Sequence, residues 1–403
     1  MHRAFRRGDR RAWADDRARR DGERCGRRAD ARAPRARSVG REGCARDLGL
    51  GAARAPVAEP RGGGEARRAG APRRGRAVKR RGFAILLAFL VVGALLRVAV
   101  GPVAVDGGIA LRLGVPSGEV LSLRGLSVLS ALVVGAALGL SGLSLQTLLR
   151  NPLASPFVLG ISSGAGFGVA CVLVLGYLFA WGGNWVGEAF GAVTGAAVAL
   201  AIVSRFGRGG DGHDPTTLVL AGVILGSIFS AGTVLAEHLV PHGLRGDLLS
   251  WMAGRLPEIP DRGILGLVAA VVVLAWLSLA ARARALDVSM LSDDEARSSG
   301  VMLAGLRGNL FWTGGILAGV AVAYAGPIGF VGLVGPHLAR RLLGPHHAAL
   351  VPGSALAGAA LLVTADAARQ VIDLGSGRLP VGVLTALAGG PAFLWLLRKG
   401  AFR

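Results

Sequence analysis

Lysine is almost absent from this chain of 403 residues: Lys79 and Lys399 are the only two among 46 Lys+Arg. Neither follows a glycine. No G-x-x-x-x-G-K-[ST] loop is therefore available to cradle nucleotide phosphates, which excludes ATP hydrolysis by this chain through a P-loop. Cysteine is nearly as scarce. Cys25, Cys44 and Cys171 form no C-x-x-C pair and have no histidine at ligand spacing, so neither a disulfide framework nor a zinc site is indicated. No H-E-x-x-H occurs, which removes the helix-borne zinc peptidase. His238 and His242 are four apart and would offer two ligands on one helix face, but no third ligand falls at useful spacing. His346-His347 reads as a solvated turn. Charged residues amount to 18%, below the roughly 25% of ordinary soluble domains.

What is abundant is apolar. Hydrophobic residues make up 52% of the chain, glycine fills 64 positions, and the mean hydropathy is +0.51. A membrane protein is the class that fits. The net charge of +21 is unevenly spread: residues 1–81 hold 26 Lys+Arg against 10 Asp+Glu, and residues 82–403 hold 20 against 15. The Arg-rich segment 1–81 has no aliphatic periodicity and cannot offset its ordering entropy by burial, so it reads as a disordered tail. It also lacks the interleaved aromatics of a base-stacking nucleic-acid binder. Val78-Lys79-Arg80-Arg81-Gly82 before Phe83 reads as an alternative N-terminus, so deleting residues 1–77 is expected to cost little. Residues 82–403 form the second division, a polytopic domain.

About 20 apolar residues cross a bilayer as a helix. Ten stretches qualify as predicted spans: 83–102, 126–147, 157–180, 187–204, 216–237, 263–281, 308–325, 328–344, 349–369 and 380–397. The eighth opens on Gly326-Pro327 and contains Gly335-Pro336, and so is expected to be broken or tilted. Loop Lys and Arg set the orientation. With the N-terminus inside, the cytoplasmic face collects Lys79–Arg81, Arg150, Arg205, Arg282, Arg297, Arg307 and Arg340, while Arg97, Arg124, Arg255, Arg369 and Arg378 fall outside. Both termini are then cytoplasmic. Small residues recur four apart at Gly135/Gly139, Gly191/Gly195, Gly222/Gly226 and Gly315/Gly319, the pattern of closely packed membrane helices. Asp366 and Arg369 share one face near the outer end of the ninth span. No span carries an acid near its middle, which disfavours the rival reading, an ion-gradient-driven secondary transporter or channel.

Two segments stand apart from the apolar background. Gln146-Thr-Leu-Leu-Arg150-Asn151-Pro152-Leu153-Ala154-Ser-Pro156, continuing to Gly160, is a helix end at an inner loop, with Arg150 at the negative terminus and prolines at the boundary. Ser292-Asp293-Asp294-Glu295-Ala296-Arg297-Ser-Ser-Gly300 predicts a short charged helix. Ser292 is the N-cap, Glu295 completes a capping box, and Gly300 ends it.

With these two segments, the Ala325-Gly-Pro-Ile-Gly-Phe-Val-Gly-Leu-Val334 stretch, Pro336-His-Leu-Ala-Arg340 and Leu379-Pro-Val-Gly382, the chain resembles the FecCD-type permeases of iron–siderophore and vitamin B12 ABC importers. The resemblance runs over roughly residues 83–400 in order. It implies an all-α membrane protein of about ten transmembrane helices with the type II ABC importer permease architecture, in a bacterial plasma membrane. The implied partners are two separate ATPase subunits, a second permease subunit and an extracytoplasmic binding protein, with membrane lipid around them and no nucleic acid. No cofactor is implied for this chain, since ATP is used by the partner. Ser292, Asp293, Asp294, Glu295, Ala296, Arg297 and Gly300 match the family's ATPase-coupling helix. Arg124 matches the first of two arginines that grip the binding protein, and Arg369 lies near another such site. The second arginine of the first pair is missing at Gly125-Leu126-Ser127, and Ser155, Ser292 and Ser299 stand where the family has aspartate, glycine and leucine. The implied function is import of an iron–siderophore, or a related chelate such as haem or cobalamin, into the cytoplasm by alternating access powered by the partner's nucleotide, with no enzymatic chemistry in this chain.

Overall fold

The computed structural model describes residues 71–105, 108–114, 118–179, 185–209, 212–372 and 379–398. The chain divides into two units between Gly63 and Gly64. The first unit, and with it most of the Arg-rich tail, lies outside the described residues, as does Arg378.

The second unit is helical. Its long helices are α1 (Ala71–Ala99), α2 (Gly118–Leu148), α3 (Ile161–Leu178), α4 (Trp185–Phe206), α5 (Pro215–Leu239), α7 (Arg262–Ala281), α10 (Leu303–Ala325), α12 (His347–Val371) and α13 (Val381–Arg398). Shorter helices are α6 (His242–Met252), α8 (Ala283–Ser289), α9 (Asp293–Ser298) and α11 (Val331–Leu343). Each of the ten predicted spans coincides with a helix, but only eight helices among the described residues are long and apolar enough to cross a bilayer. The other two are α11 and the apolar Val381–Leu394 part of α13. Span eight starts later than expected, because Gly326 to Phe330 stay non-helical and α11 has 13 residues. At 1.5 Å per residue it is about 20 Å long, short of the roughly 30 Å hydrocarbon core. Pro336 sits inside it and deprives the Gly332 carbonyl of its helical donor. Neighbouring protein must cover that irregularity, and Gly335 and Pro336 are buried.

Hydropathy and spacing predict no strands, yet two small hairpins are present. β1 (Val100–Val105) pairs antiparallel with β2 (Gly108–Leu113), and β3 (Arg208–Gly209) with β4 (Gly212–His213). Asp106-Gly107 stands between the first pair, a dipeptide that favours tight two-residue hairpins.

Helix α2 is the hub. Nearly every residue from Ser130 to Leu148 is buried, and α2 packs against α12, α10 and α11. Helices α1, α5 and α7 lie at the rim and expose apolar faces, among them Leu95, Leu235 and Leu274. In a membrane protein such faces belong in lipid or against a partner.

The glycine pairs do what their spacing predicts. A Cβ at Gly135 or Gly139 would fall on the backbone of α12 at Gly358 or Ser354, and Gly191 and Gly195 of α4 face Gly168 and Gly164 of α3. Gly142 is the tightest crossing, since its Cβ would overlap the Gly332 carbonyl of α11. Gly142→Ala is expected to destabilise the protein by about 1–3 kcal/mol through overpacking, read as a lower melting temperature of the detergent-purified protein. Gly125→Ala, where the added methyl meets nothing within 4 Å, is the silent control.

Candidate docking face and the polar links behind it

One end of the bundle gathers the segments that the sequence singles out. Helix α2 stops at Leu148, and Arg150 adopts a left-handed backbone with φ 45°. Asn151 then closes a local turn, its Oδ1 accepting from the Leu153 N–H at 2.9 Å. Ser155 caps a 3₁₀ turn, Pro156–Leu159, and Gly160 at φ 71° passes the chain into α3. Gly160 also lies against the backbone of Gly222 and Gly226 in α5, so this junction needs glycine for conformation and for space. Gly160-Ile161-Ser162-Ser163-Gly164 spells G-x-S-x-G. A nucleophile elbow requires a strand before its serine, whereas a 3₁₀ turn precedes this one.

Directly beside this loop stands α9. Its predicted capping box is present: Ser292 Oγ accepts from the Glu295 N–H at 3.3 Å, and Glu295 Oε2 accepts from the Ser292 N–H at 3.1 Å. The predicted stop at Gly300 is also present, at φ 82°. The Val301 N–H donates to the Ala296 carbonyl and the Gly300 N–H to that of Arg297, which is the Schellman arrangement. Ala296 is the one fully buried residue of α9, and it turns Asp294, Glu295 and Arg297 outward.

Asp293 anchors α9 to the bundle. Arg150 donates to its Oδ1 at 2.6 Å, and Arg307 of α10 donates to its Oδ2 at 2.7 Å. A further bond from Arg150 Nε reaches the Ser289 carbonyl at the end of α8, at 3.0 Å. The Arg307 and Arg150 guanidiniums hold the Asp293 carboxyl below the usual carboxylate range. The Ser292 hydroxyl and N–H do the same for Glu295. The two sequence-predicted segments are thus one structure, joined by Arg150–Asp293. Arg307 is the member that spacing does not reveal, because it arrives from α10. Around this charged helix Leu153, Met290, Leu291 and Met302 are exposed, Met302 at 85%. An exposed face that mixes apolar side chains, methionine among them, with charged ones suits a separable protein partner.

A second set of polar links runs behind α9. Gln146 Nε2 donates to the Leu333 carbonyl of α11 at 3.3 Å, and its Oε1 faces Arg340. His347 is not in a solvated turn: only His346 is exposed, while the His347 ring is buried. It spans Asp287 Oδ1 of α8, at 2.7 Å, and Thr147 Oγ1 of α2, at 3.0 Å. The solvated reading fails because the partners sit on two other helices, which adjacency of two histidines does not show. His238 and His242 end up on different helices, separated by the break at Val240-Pro241. Among the described residues no group of three His, Cys, Asp or Glu could hold a metal ion.

At the opposite end of the bundle, Arg124 donates to the Val98 carbonyl at 2.6 Å and packs over Gly101. Arg369 is 4% exposed and bonds Asp366 within α12. Arg97 of α1 binds the other oxygen of the same carboxylate, itself fully buried. The structure therefore places Arg369 in a buried triad with Asp366 and Arg97, beside a cavity of about 670 Å³ that Glu188, Trp251, Arg255 and Tyr324 also line. It does not bring Arg369 and Arg124 together on an open surface.

Comparison with known proteins yields consistent matches. The FecCD transport family matches residues 84–399. The vitamin B12 import system permease protein BtuC of Salmonella paratyphi A is 40% identical over 276 residues, covering 68% of this chain and 81% of the relative. BtuC of Salmonella typhimurium matches to the same extent. A metal-chelate type ABC transporter, solved in an inward-facing conformation, superposes with a TM-score of 0.69 at 28% identity, over 80% of this chain and 99% of the other.

Proposed function

We infer the cargo and partners of this chain from one premise: it belongs to the FecCD transport family. It is a multi-pass membrane permease of an ABC importer of that type, a transport component and not an enzyme. Its cargo is a bulky metal chelate. Cobalamin comes first, because vitamin B12 permeases are 40% identical to it, and iron–siderophore complexes or haem come next. A separate ATPase pair docks below, a second permease copy or close relative completes the pathway, and an extracytoplasmic binding protein delivers the chelate. Both termini lie in the cytoplasm.

One observation supports this reading above the others. Helix α9 is capped at both ends, fastened by Asp293 to Arg150 and Arg307, and turned outward with its charges ringed by exposed apolar residues. An exposed six-residue helix would not persist alone in water, so its fastening to α2 and α10 makes it a rigid element through which movement of a docked partner can be passed on. Closure of the ATPases on nucleotide pushes α9. Through Arg150 and Arg307 the push reaches the ends of α2 and α10, and the bundle changes the side to which its path opens. Arg124 and Arg369 are the proposed contacts for the binding protein.

The test is reconstitution of the permease with its ATPase and binding protein in vesicles loaded with ATP, supplied in turn with cobalamin, a ferric siderophore and haem. Uptake of one chelate that stops without ATP is the expected result. Uptake by the permease alone, driven by an imposed ion gradient, would overturn the reading.

A further inference from the structure

His347 lies at the first turn of α12, where three elements meet. Its ring Nδ1 is 2.7 Å from Asp287 Oδ1, and its backbone N–H donates to that same oxygen at 2.8 Å. A carboxylate of α8 therefore caps α12 from outside, which suits the positive end of the helix. On the other side of the ring, Nε2 is 3.0 Å from the Thr147 hydroxyl, and that hydroxyl lies 2.8 Å from the Leu143 carbonyl one turn back along α2. Asp287 and Asp293 flank the junction between α8 and α9, so the His347 link and the Arg150 clamp hold that junction from its two sides.

With a neutral ring, the single Thr147 proton cannot serve both of its neighbours. A carboxylate only accepts, so Nδ1 carries a proton in either state. When the ring is neutral, Nε2 must accept, and the Thr147 hydroxyl donates to it. When the ring is charged, Nε2 donates to Thr147, and the hydroxyl turns to donate to the Leu143 carbonyl. One proton taken up at Nε2 thus rotates one hydroxyl and turns the hydrogen bond to the Asp287 carboxylate, charged on one side only, into an ion pair charged on both. The charges acting on the ring are Asp287 from α8, Arg340 from α11 and His346 beside it, while α2 contributes only the Thr147 hydroxyl. The Asp287 side chain is 33% exposed and His346 is 68% exposed, so this corner of the network reaches water.

We propose that His347 is a proton-sensitive positioning residue that ties the docking segment α8–α9 to the central helix α2, and that its charge state sets how much cargo moves per ATP. It rests on the docking role given to α9 above. Acidification tightens the tie, so cargo moved per ATP rises on the acid side.

The assay uses the full permease–ATPase complex in vesicles, with cargo uptake and ATP hydrolysis measured together from about pH 5 to pH 8, the range over which histidine side chains change charge. The wild type is expected to show a one-proton sigmoid in cargo per ATP, with the acid limb about two- to threefold higher, the size of effect that a partly exposed ion pair supplies. His347→Gln is expected to flatten it. Thr147→Ser, which keeps the hydroxyl, leaves the inflection in place. Thr147→Val removes the acceptor that the charged ring needs and moves the inflection to lower pH, and this pair serves if His347→Gln does not fold. A wild-type ratio that is flat across the window, or an inflection that persists unchanged in both His347→Gln and Thr147→Val, overturns the proposal. Co-purification of the ATPase is followed in parallel. Assembly that is indifferent to α9 counts against the docking role, whereas a flat ratio with assembly intact counts against His347.

Discussion

Asp293→Ala is expected to lower ATP-driven uptake about tenfold while the permease still inserts and purifies. Among the described residues, this carboxylate is the only side chain that ties α9 by ion pairs to both Arg150, beyond the end of α2, and Arg307 of α10. Two partly exposed ion pairs at roughly 0.5–1 kcal/mol each approach the roughly 1.4 kcal/mol that makes a factor of ten. The side chains concerned are 34% exposed on Arg150 and Asp293 and 14% on Arg307, so the global fold does not depend on them. The capping box of Ser292 and Glu295 keeps α9 wound, but its orientation is released, and a docked ATPase would then push on a loose element. Asp293→Glu, which restores the charge on a longer arm, is expected to recover part of the uptake. The combined alanine replacement of Asp293, Asp294, Glu295 and Arg297 goes further and removes the charged surface itself, so the ATPase should no longer co-purify. Unchanged uptake in Asp293→Ala, at equal permease in the membrane, would leave α9 without a coupling role. The clamp is also insensitive to mild acid. The Asp293 carboxyl is held below its ordinary range by Arg307 and Arg150, so its contribution is fully present above the unfolded carboxylate pKa and is lost only as pH falls through the lower folded value. A pH effect near neutrality therefore cannot arise at Asp293, which keeps this prediction separate from that for His347.

How far the sequence can be read depends on whether the determining interactions are local. Span positions follow from apolar length alone, and the ends of α5, α7 and α10 fall close to the expected limits. Helix α9 is legible because a capping box needs only Ser292 and Glu295 three residues apart, and its stop needs only Gly300. The glycine faces are legible as faces, though their partners are not: that Gly142 meets Gly332, or Gly135 meets Gly358, depends on which helices become neighbours. The same limit hides Arg307, His347 and Arg97, whose partners lie 14 to 269 residues away in the sequence. Span eight is shorter than its hydropathy predicts, because Gly326 to Phe330 are apolar enough to count toward a span but do not take up a helical backbone. Phe330 has φ 66°, a left-handed conformation rare for a bulky side chain, and no composition reports it.

Asp366→Leu is expected to be the most damaging single substitution in the chain. The Asp366 carboxylate is fully buried and answers two guanidiniums, Arg97 from α1 and Arg369 from its own helix, whose side chains are 7% and 5% exposed. Removing it leaves two uncompensated positive charges side by side, and breaking even one buried pair costs about 3–5 kcal/mol. Arg97→Met should cost less, because Arg369 still balances the carboxylate, although α1 loses its polar tie to α12. Arg369→Met should cost least, since the remaining Arg97–Asp366 pair is neutral and already joins the two helices. The expected order of melting temperatures in detergent is therefore parent, Arg369→Met, Arg97→Met, Asp366→Leu, the last largely aggregated on size exclusion. Replacing all three by apolar residues of similar volume should recover much of the loss, because a packed apolar cluster can equal a buried ion pair in stability. Asp366→Leu melting with the parent would show that the triad does not hold the bundle. The order also bears on the proposed binding-protein contact. Arg369 can grip an acidic partner only by releasing Asp366, and Arg97 makes that release tolerable by keeping the carboxylate paired. Arg369→Met should consequently weaken binding-protein-dependent uptake while leaving the melting temperature nearly intact, whereas Arg97→Met should lower both.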